Sequence, residues 1–405
     1  MAMLGRVFSD SASKRSFALD LLSPALLFLG LMQAETTLAD RPAAWAGAPH
    51  TNGFPSDSGF FPIGVWLQSP PNAPRYKAMG INTFVGLWQG PTEAQLADLA
   101  KQGMYVVAEQ NDVGLNSINR GIIKSWMQAD EPDNAQITGL GRYGPCIPAA
   151  EIARRSRAMK ARDASRPVMI NFGRGVADTS WPGRGICTGD QDYYDTAIKS
   201  ADILSFDIYP VGSDTPHVKG RLEYVAQGVA NLVKRAAPGQ TVWAVLETTA
   251  LDPARPVRAE ELRAEVWMAL IHGATGIVYF VHEWANSFRE DGIFRHPEIV
   301  DEVTRINQTI ASLAPILNSP DLPGRIAVSA LVPIATMVKQ QEHALYVFAV
   351  AMQNQPSTAR LALREIHDAE AVVLEEGRSV AIRDGILEDT FGGYAVHLYK
   401  IPIPG

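Results

Sequence analysis

The chain is expected to be an α/β protein, a (β/α)8 TIM barrel followed by a small antiparallel β-sandwich. Three observations carry this expectation. Eight short apolar runs, most of them rich in β-branched or aromatic residues, recur from residue 62 to residue 281 with amphipathic segments between most of them. Eight strands alternating with helices in about 250 residues is the arithmetic of a closed parallel barrel. After Pro323 the pattern changes to short apolar or alternating runs split by polar turns, with no helix-length segment.

In chain order, residues 1–39 come first. Arg6, Lys14 and Arg15 precede an apolar stretch, 17–32, and a small-residue exit at Thr37-Leu38-Ala39, which is the order of a secretory signal. Asp20 and Pro24 interrupt the stretch, so a disordered leader or short anchor is the alternative. Residues 40–58, rich in Pro, Ala, Gly and Ser, read as a linker. The barrel is expected over 59–322, with strands at 62–67, 81–88, 104–109, 122–129, 167–172, 203–208, 242–247 and 276–281. Helices are expected at 92–101, 148–162, 193–200, 218–235, 259–271 and 297–313. The stretch 110–121 is too short and too rich in Gly and Asn for a full crossover helix, and 133–148 reads as an inserted loop. A doubly wound open sheet competes, but no strand leads into a glycine-rich phosphate loop. The runs 326–329, 336–340, 344–351, 359–363, 371–373, 380–382 and 395–399 make up the expected sandwich, 323–405.

The chain has 405 residues, 46% hydrophobic and 20% charged, and a net charge of −7 without any Lys/Arg-rich run. That excludes nucleic acid and anionic membrane surfaces as natural partners. No stretch beyond the leader is long and apolar enough to span a bilayer, so no stable membrane span is expected after signal cleavage. Cys146 and Cys187 are the only cysteines and fall in neighbouring loops on one face of the barrel; in an exported chain they are expected to form a disulfide, with two free thiols as the alternative. Without clustered histidines they are not a zinc site.

Chemistry in a barrel belongs at the C-terminal ends of the strands. Those ends read Trp66-Leu67-Gln68, Trp88-Gln89, Glu109-Gln110-Asn111, Asp130-Glu131-Pro132-Asp133, Asn171, Asp207-Ile208-Tyr209, Glu247-Thr248-Thr249 and His282-Glu283-Trp284. Carboxylates, amides and aromatic rings dominate, which suits the hydroxyl rims and C–H faces of sugars. Glycoside hydrolysis needs two carboxyl groups, one to protonate the leaving oxygen and one to attack or to activate water. Glu131 and Glu247, ending strands four and seven, are the natural pair. Trp66, Gln68, Trp88, Gln110, Asp130, Asn171, Asp207, Tyr209, His282 and Trp284 are the candidate substrate contacts. Glu109 and Glu283 are rival carboxylates, and Trp181 lies in a loop that could line a subsite.

Ser125-Trp126-Met127-Gln128-Ala129-Asp130-Glu131-Pro132 resembles the strand-four motif of the clan A glycoside hydrolases, which end that strand in Asn-Glu-Pro. Trp243-Ala244-Val245-Leu246-Glu247-Thr248-Thr249 is similar to their strand-seven nucleophile segment, and Gly276-Ile277-Val278-Tyr279-Phe280 with Trp284 fits their eighth strand. Ala264-Glu265-Val266-Trp267-Met268-Ala269-Leu270-Ile271-His272-Gly273 resembles a little-characterised group of bacterial barrels of this type. The resemblance, over 60–316, implies a retaining double displacement without metal or organic cofactor, with Glu131 as acid/base, Glu247 as nucleophile and Tyr209 in a region suited to hydrogen-bond it. Asp130 replaces the clan's Asn; ionised, it can only accept a hydrogen bond from a sugar hydroxyl, and its charge would raise the pKa of Glu131. The expected activity is that of an exported, periplasmic or extracellular hydrolase of an oligo- or polysaccharide. A transglycosylase and a non-catalytic carbohydrate-binding protein of the envelope are the alternatives.

Overall fold

The structure, a computed structural model, describes residues 53–138, 142–181, 183, 185–251, 255–284 and 287–403. The expected signal and most of the expected linker lie outside these residues. Eight parallel strands close into a barrel: β1 (Ile63–Trp66), β2 (Thr83–Val85), β3 (Tyr105–Ala108), β4 (Ile123–Met127), β5 (Val168–Phe172), β6 (Ile203–Asp207), β7 (Thr241–Glu247) and β8 (Gly276–Phe280), with β8 pairing back onto β1. Around them run α1 (Ala73–Ala78), α2 (Glu93–Lys101), α3 (Asp112–Asn116), α4 (Ala149–Arg162), α5 (Gln191–Ala197), α6 (Glu223–Arg235), α7 (Ala259–Ile271) and α8 (Pro297–Leu317). The α3 segment is a single turn plus one residue, as the Gly/Asn-rich sequence there requires. Sequence reading overlooked α1, whose flanking prolines resemble a loop; proline in a first helical turn is tolerated because its missing N–H would have no partner there. Among the described residues, no helix is long and apolar enough to cross a membrane.

Strand alternation separates two layers. Trp243 and Val245 of β7 point into the barrel with Val85, Val107, Met127, Met169, Ile203 and Val278. Val242, Ala244 and Leu246 face the helices. Phe54 and Phe60 close the end where strands begin, Phe54 lying 5.3 Å from the ring of Trp243 and Phe60 lying 5.5 Å from Tyr105. The opposite end, where strands finish, carries the candidate site.

The C-terminal region is one antiparallel ladder of β9 (Ile326–Ala330), β10 (Ile334–Gln341), β11 (Ala344–Ala351), β12 (Ser357–Leu363), β13 (Ala369–Val373), β14 (Arg378–Arg383), β15 (Ile386–Phe391) and β16 (Val396–Pro402). Their order is β9-β12-β15-β14-β13-β16-β11-β10. Its inner face curls over a core containing Val338, Val347, Leu361, Ile382 and Phe391, which makes the expected sandwich. β11 is buried along its whole length for a simple reason: Leu345, Val347 and Ala349 face that core, while Tyr346, Phe348 and Val350 pack on the barrel. Phe348 stacks on Trp267 of α7 at 5.4 Å. Buried Lys339 of β10 donates to the carbonyl of Leu317 at 2.9 Å, capping the end of α8 with a positive charge.

Candidate active site

The residues after β4 and β6 meet at the open end. Asn171, the fourth residue of β5, is buried and fixed by the Ser205 hydroxyl, which donates to its amide oxygen at 2.7 Å. Its amide nitrogen then donates to two carboxylates, Asp130 at 3.0 Å and Asp207 at 3.2 Å. The two accepting oxygens can therefore be no further apart than the sum of those distances. Glu131 sits beside them, half-buried, with a left-handed backbone (φ 40°). Its backbone N–H bonds to the Asn171 carbonyl at 3.0 Å. A Cβ on Gly173 would lie 3.0 Å from its Oε1, so only glycine leaves room for the carboxyl there.

The four acidic groups Asp130, Glu131, Asp133 and Asp207 shape one another. Burial, then the charges of Glu131 and Asp130, push Asp207 well above the carboxylate range, while the Tyr209 hydroxyl, donating to it, works the other way. Crowding by neighbouring protein groups and the charge of Glu131 likewise raise Asp130, whose residue is exposed on the cleft, against the Asn171 amide. Such a cluster titrates as a unit and retains a proton where isolated carboxylates would have lost theirs. Asp133 is structural: it accepts from the Gly173 N–H at 2.9 Å and the Tyr194 hydroxyl at 2.7 Å, tying the β4 and β5 loops together. It caps no helix, since α4 begins only at Ala149. Cys146 and Cys187 are disulfide-bonded across the same two loops.

Aromatic rings form the adjoining wall. Tyr209 lies 5.0 Å from Phe280, which stacks on Trp284 at 5.7 Å, and Phe288 packs against Trp284 at 5.3 Å. Trp284 and Phe288 are exposed, and so is Trp88 at the end of β2. His282 lies between these rings and Leu67, whose carbonyl is 3.2 Å from its Nε2, and burial lowers its pKa.

Other candidates are occupied elsewhere. Trp66 is part of the barrel core. The amide of Gln68 is taken by the Tyr76 hydroxyl at 2.6 Å and by backbone carbonyls. Gln110 donates to the Met159 carbonyl at 3.0 Å, on α4. Glu109 is exposed; Glu283 is buried beside Arg295 and His296; Trp181 lies under the Arg174 guanidinium, 3.9 Å away.

Glu247 ends β7. It is fully buried, and its carboxylate accepts from the N–H groups of Val211 at 2.6 Å and Gly212 at 2.8 Å, in the loop after β6. Behind it lie the carboxyl of Glu265 on α7, the charge of Glu261 and, beyond them, Arg255. Burial raises Glu247 despite the two N–H donors. Sequence reasoning missed Glu265, Phe280 and Phe288. A signal for the first existed, a single carboxylate inside the apolar run of α7.

No protein family and no curated protein matches the chain. Solved structures do share its fold. AmyP in complex with maltose superposes with a TM-score of 0.55 at 10% identity, over 86% of this chain and 97% of that one. A GH42 beta-galactosidase from G. stearothermophilus gives 0.54 at 8% identity, covering 88% and 100%. Alpha-galactosidase I from Mortierella vinacea gives 0.51 at 9% identity, covering 90% and 98%. Identities this low speak to the fold alone.

Proposed function

We propose that the chain is a retaining glycoside hydrolase acting on an oligo- or polysaccharide at the C-terminal mouth of its barrel. The carrying observation is the Asn171 amide shared by Asp130 and Asp207 with Glu131 alongside. Carboxyl groups roughly 5–5.5 Å apart suit a double displacement, whereas inversion needs roughly 6.5–9.5 Å for an intervening water. The oxygens of Asp130 and Asp207 that share the Asn171 amide fall on the close side, and Glu131 follows Asp130 directly in the chain. Three solved structures with this fold are sugar-related proteins, and the analogy agrees with the proposal.

In this proposal Glu131 protonates the leaving oxygen and later deprotonates the incoming water. The attacking group is Asp207, aimed by Asn171 and Tyr209; it attacks in the form of the cluster that leaves Asp207 ionised and carries the retained proton on Glu131. The sequence reading gave attack to Glu247; from its present position that carboxyl would have to leave two N–H donors and turn out of the barrel wall. Asp130 accepts from a sugar hydroxyl, and Trp284 offers a face for a ring. Export, with the leader removed and the disulfide formed outside the cytoplasm, belongs to the same proposal.

The test is a panel of aryl glycosides and oligosaccharides, followed by a 2-deoxy-2-fluoro glycosyl fluoride of the accepted sugar and peptide mapping. Label on the peptide carrying Asp207 supports the assignment; label on Glu247 returns attack to that residue. Oligosaccharide binding with no turnover of any substrate replaces the enzyme with the binding protein.

A further inference from the structure

The most unusual group outside the cleft is Glu265. It is fully buried in α7, and neither of its carboxyl oxygens meets a hydrogen-bond donor among the described residues. The group it faces is the carboxyl of Glu247, itself fully buried. Two carboxylates cannot hydrogen-bond to one another, since each only accepts; a carboxylic acid and a carboxylate can. An unpaired charge at such depth would cost several kcal/mol. Nor does a free cation compensate: Arg255, in the segment leading into α7, is held by Glu261 at 2.7 Å. On the other flank, Tyr394 of the C-terminal region directs its hydroxyl to the Gly220 carbonyl at 2.6 Å.

We propose that Glu265 is a carboxylic acid donating its proton to the Glu247 carboxylate, and that this pair is the anchor positioning the loop after β6. The linkage is short. Glu247 spends both oxygens on the N–H groups of Val211 and Gly212, two and three residues beyond Tyr209. A Cβ on Gly212 would lie 3.1 Å from Glu247 Oε2, so glycine permits the grip. Tyr209 in turn holds Asp207. The pair therefore sets the aim of the Tyr209 hydroxyl without touching substrate, and both glutamates are positioning residues. Only this last step rests on the glycosidase reading. Burial, and the charge each would present to the other, favour the single shared proton.

Three measurements test it. Infrared spectroscopy of the intact chain should show the C=O band of a buried protonated carboxyl at a pH where exposed carboxyls are ionised. The band should lose one component in Glu265→Gln, and that component should persist in Asp207→Asn, which disturbs only the share owed to the cleft carboxyls. Thermal melting should show stability falling as pH rises from the ordinary carboxylate range, about 4.3 for Glu, through the raised value, because the folded state holds a proton the unfolded state has lost. Glu265→Gln, whose amide N–H donates at any pH, should flatten that slope. Turnover should survive in Glu265→Gln and fall on the order of 10²-fold in Glu265→Leu, through misplacement of the loop. A wild-type protein without the band, or a band and pH slope unchanged in Glu265→Gln, overturns the proposal; these two decide even if Glu265→Leu does not fold. Band and slope need no substrate, so a chain that shows both yet cleaves nothing loses the glycosidase reading and keeps the pair.

Discussion

Gly173 shows how little slack the cleft has. A methyl group there meets Asn134 Nδ2 at 2.6 Å and Glu131 Oε1 at 3.0 Å. Gly173→Ala is therefore expected to displace the Glu131 carboxyl and lower kcat on the order of 10²-fold, with a far smaller change in melting temperature; steady-state kinetics beside a melting curve checks it. The carboxyl cluster makes a second prediction. Because burial and like charges raise Asp130 and Asp207, its proton is retained at low pH and lost as pH rises through the raised values. The expected kcat/KM falls on the alkaline side. Asp130→Asn removes one negative charge, so the remaining carboxyls give up the proton more readily and the alkaline limb moves to lower pH. A limb that stays fixed, or moves upward, refutes the coupling.

The loops after β4 and β5 behave as one element. Besides the disulfide, the Thr188 hydroxyl donates to Asn134 at 2.8 Å, and Asp133 joins Gly173 to Tyr194. Removing the cross-link in a Cys146→Ser/Cys187→Ser double variant should cost roughly 2–4 kcal/mol of stability, read as a lower melting temperature that reductant no longer changes. At this scale the limits of sequence reading have physical causes. The strands and most helices follow local periodicity and were legible. The direction of a side chain at a strand end was not. By alternation Glu247 shares the inward face of Trp243 and Val245, yet its carboxyl follows two N–H groups that the β6 loop supplies from 35 and 36 residues away. Asp207 reads as a substrate contact, and the Asn171 amide it shares with Asp130 becomes visible only in the fold. Glu265 makes sense only once α7 is known to be buried on every side.

Across the whole molecule, the barrel and the C-terminal ladder complete each other. Trp267 has no exposed surface because Phe348 covers it, and Glu375 binds Arg263 at 2.6 Å and Arg305 at 3.3 Å across the same boundary. Phe348→Ala is expected to destabilise the protein by about 3–5 kcal/mol, with barrel and ladder unfolding in one transition; two separate transitions in the wild type would show the halves to be independent. The eight apolar runs made the barrel legible, and the alternation after Pro323 made the ladder legible. The double-sided burial of β11 was foreshadowed only by its unbroken apolar run.

The barrel seam has a consequence during synthesis. Ile63 pairs with Ile277, α7 is roofed by β11, and Tyr394 latches Gly220. Each contact joins an early segment to one that leaves the ribosome much later. A nascent chain wired this way cannot close its barrel until β8 has emerged, nor roof its seventh helix until β11 has followed, so its partly built edges stay open through much of translation. The yield of native protein then depends on what shields those open edges until their late partners arrive.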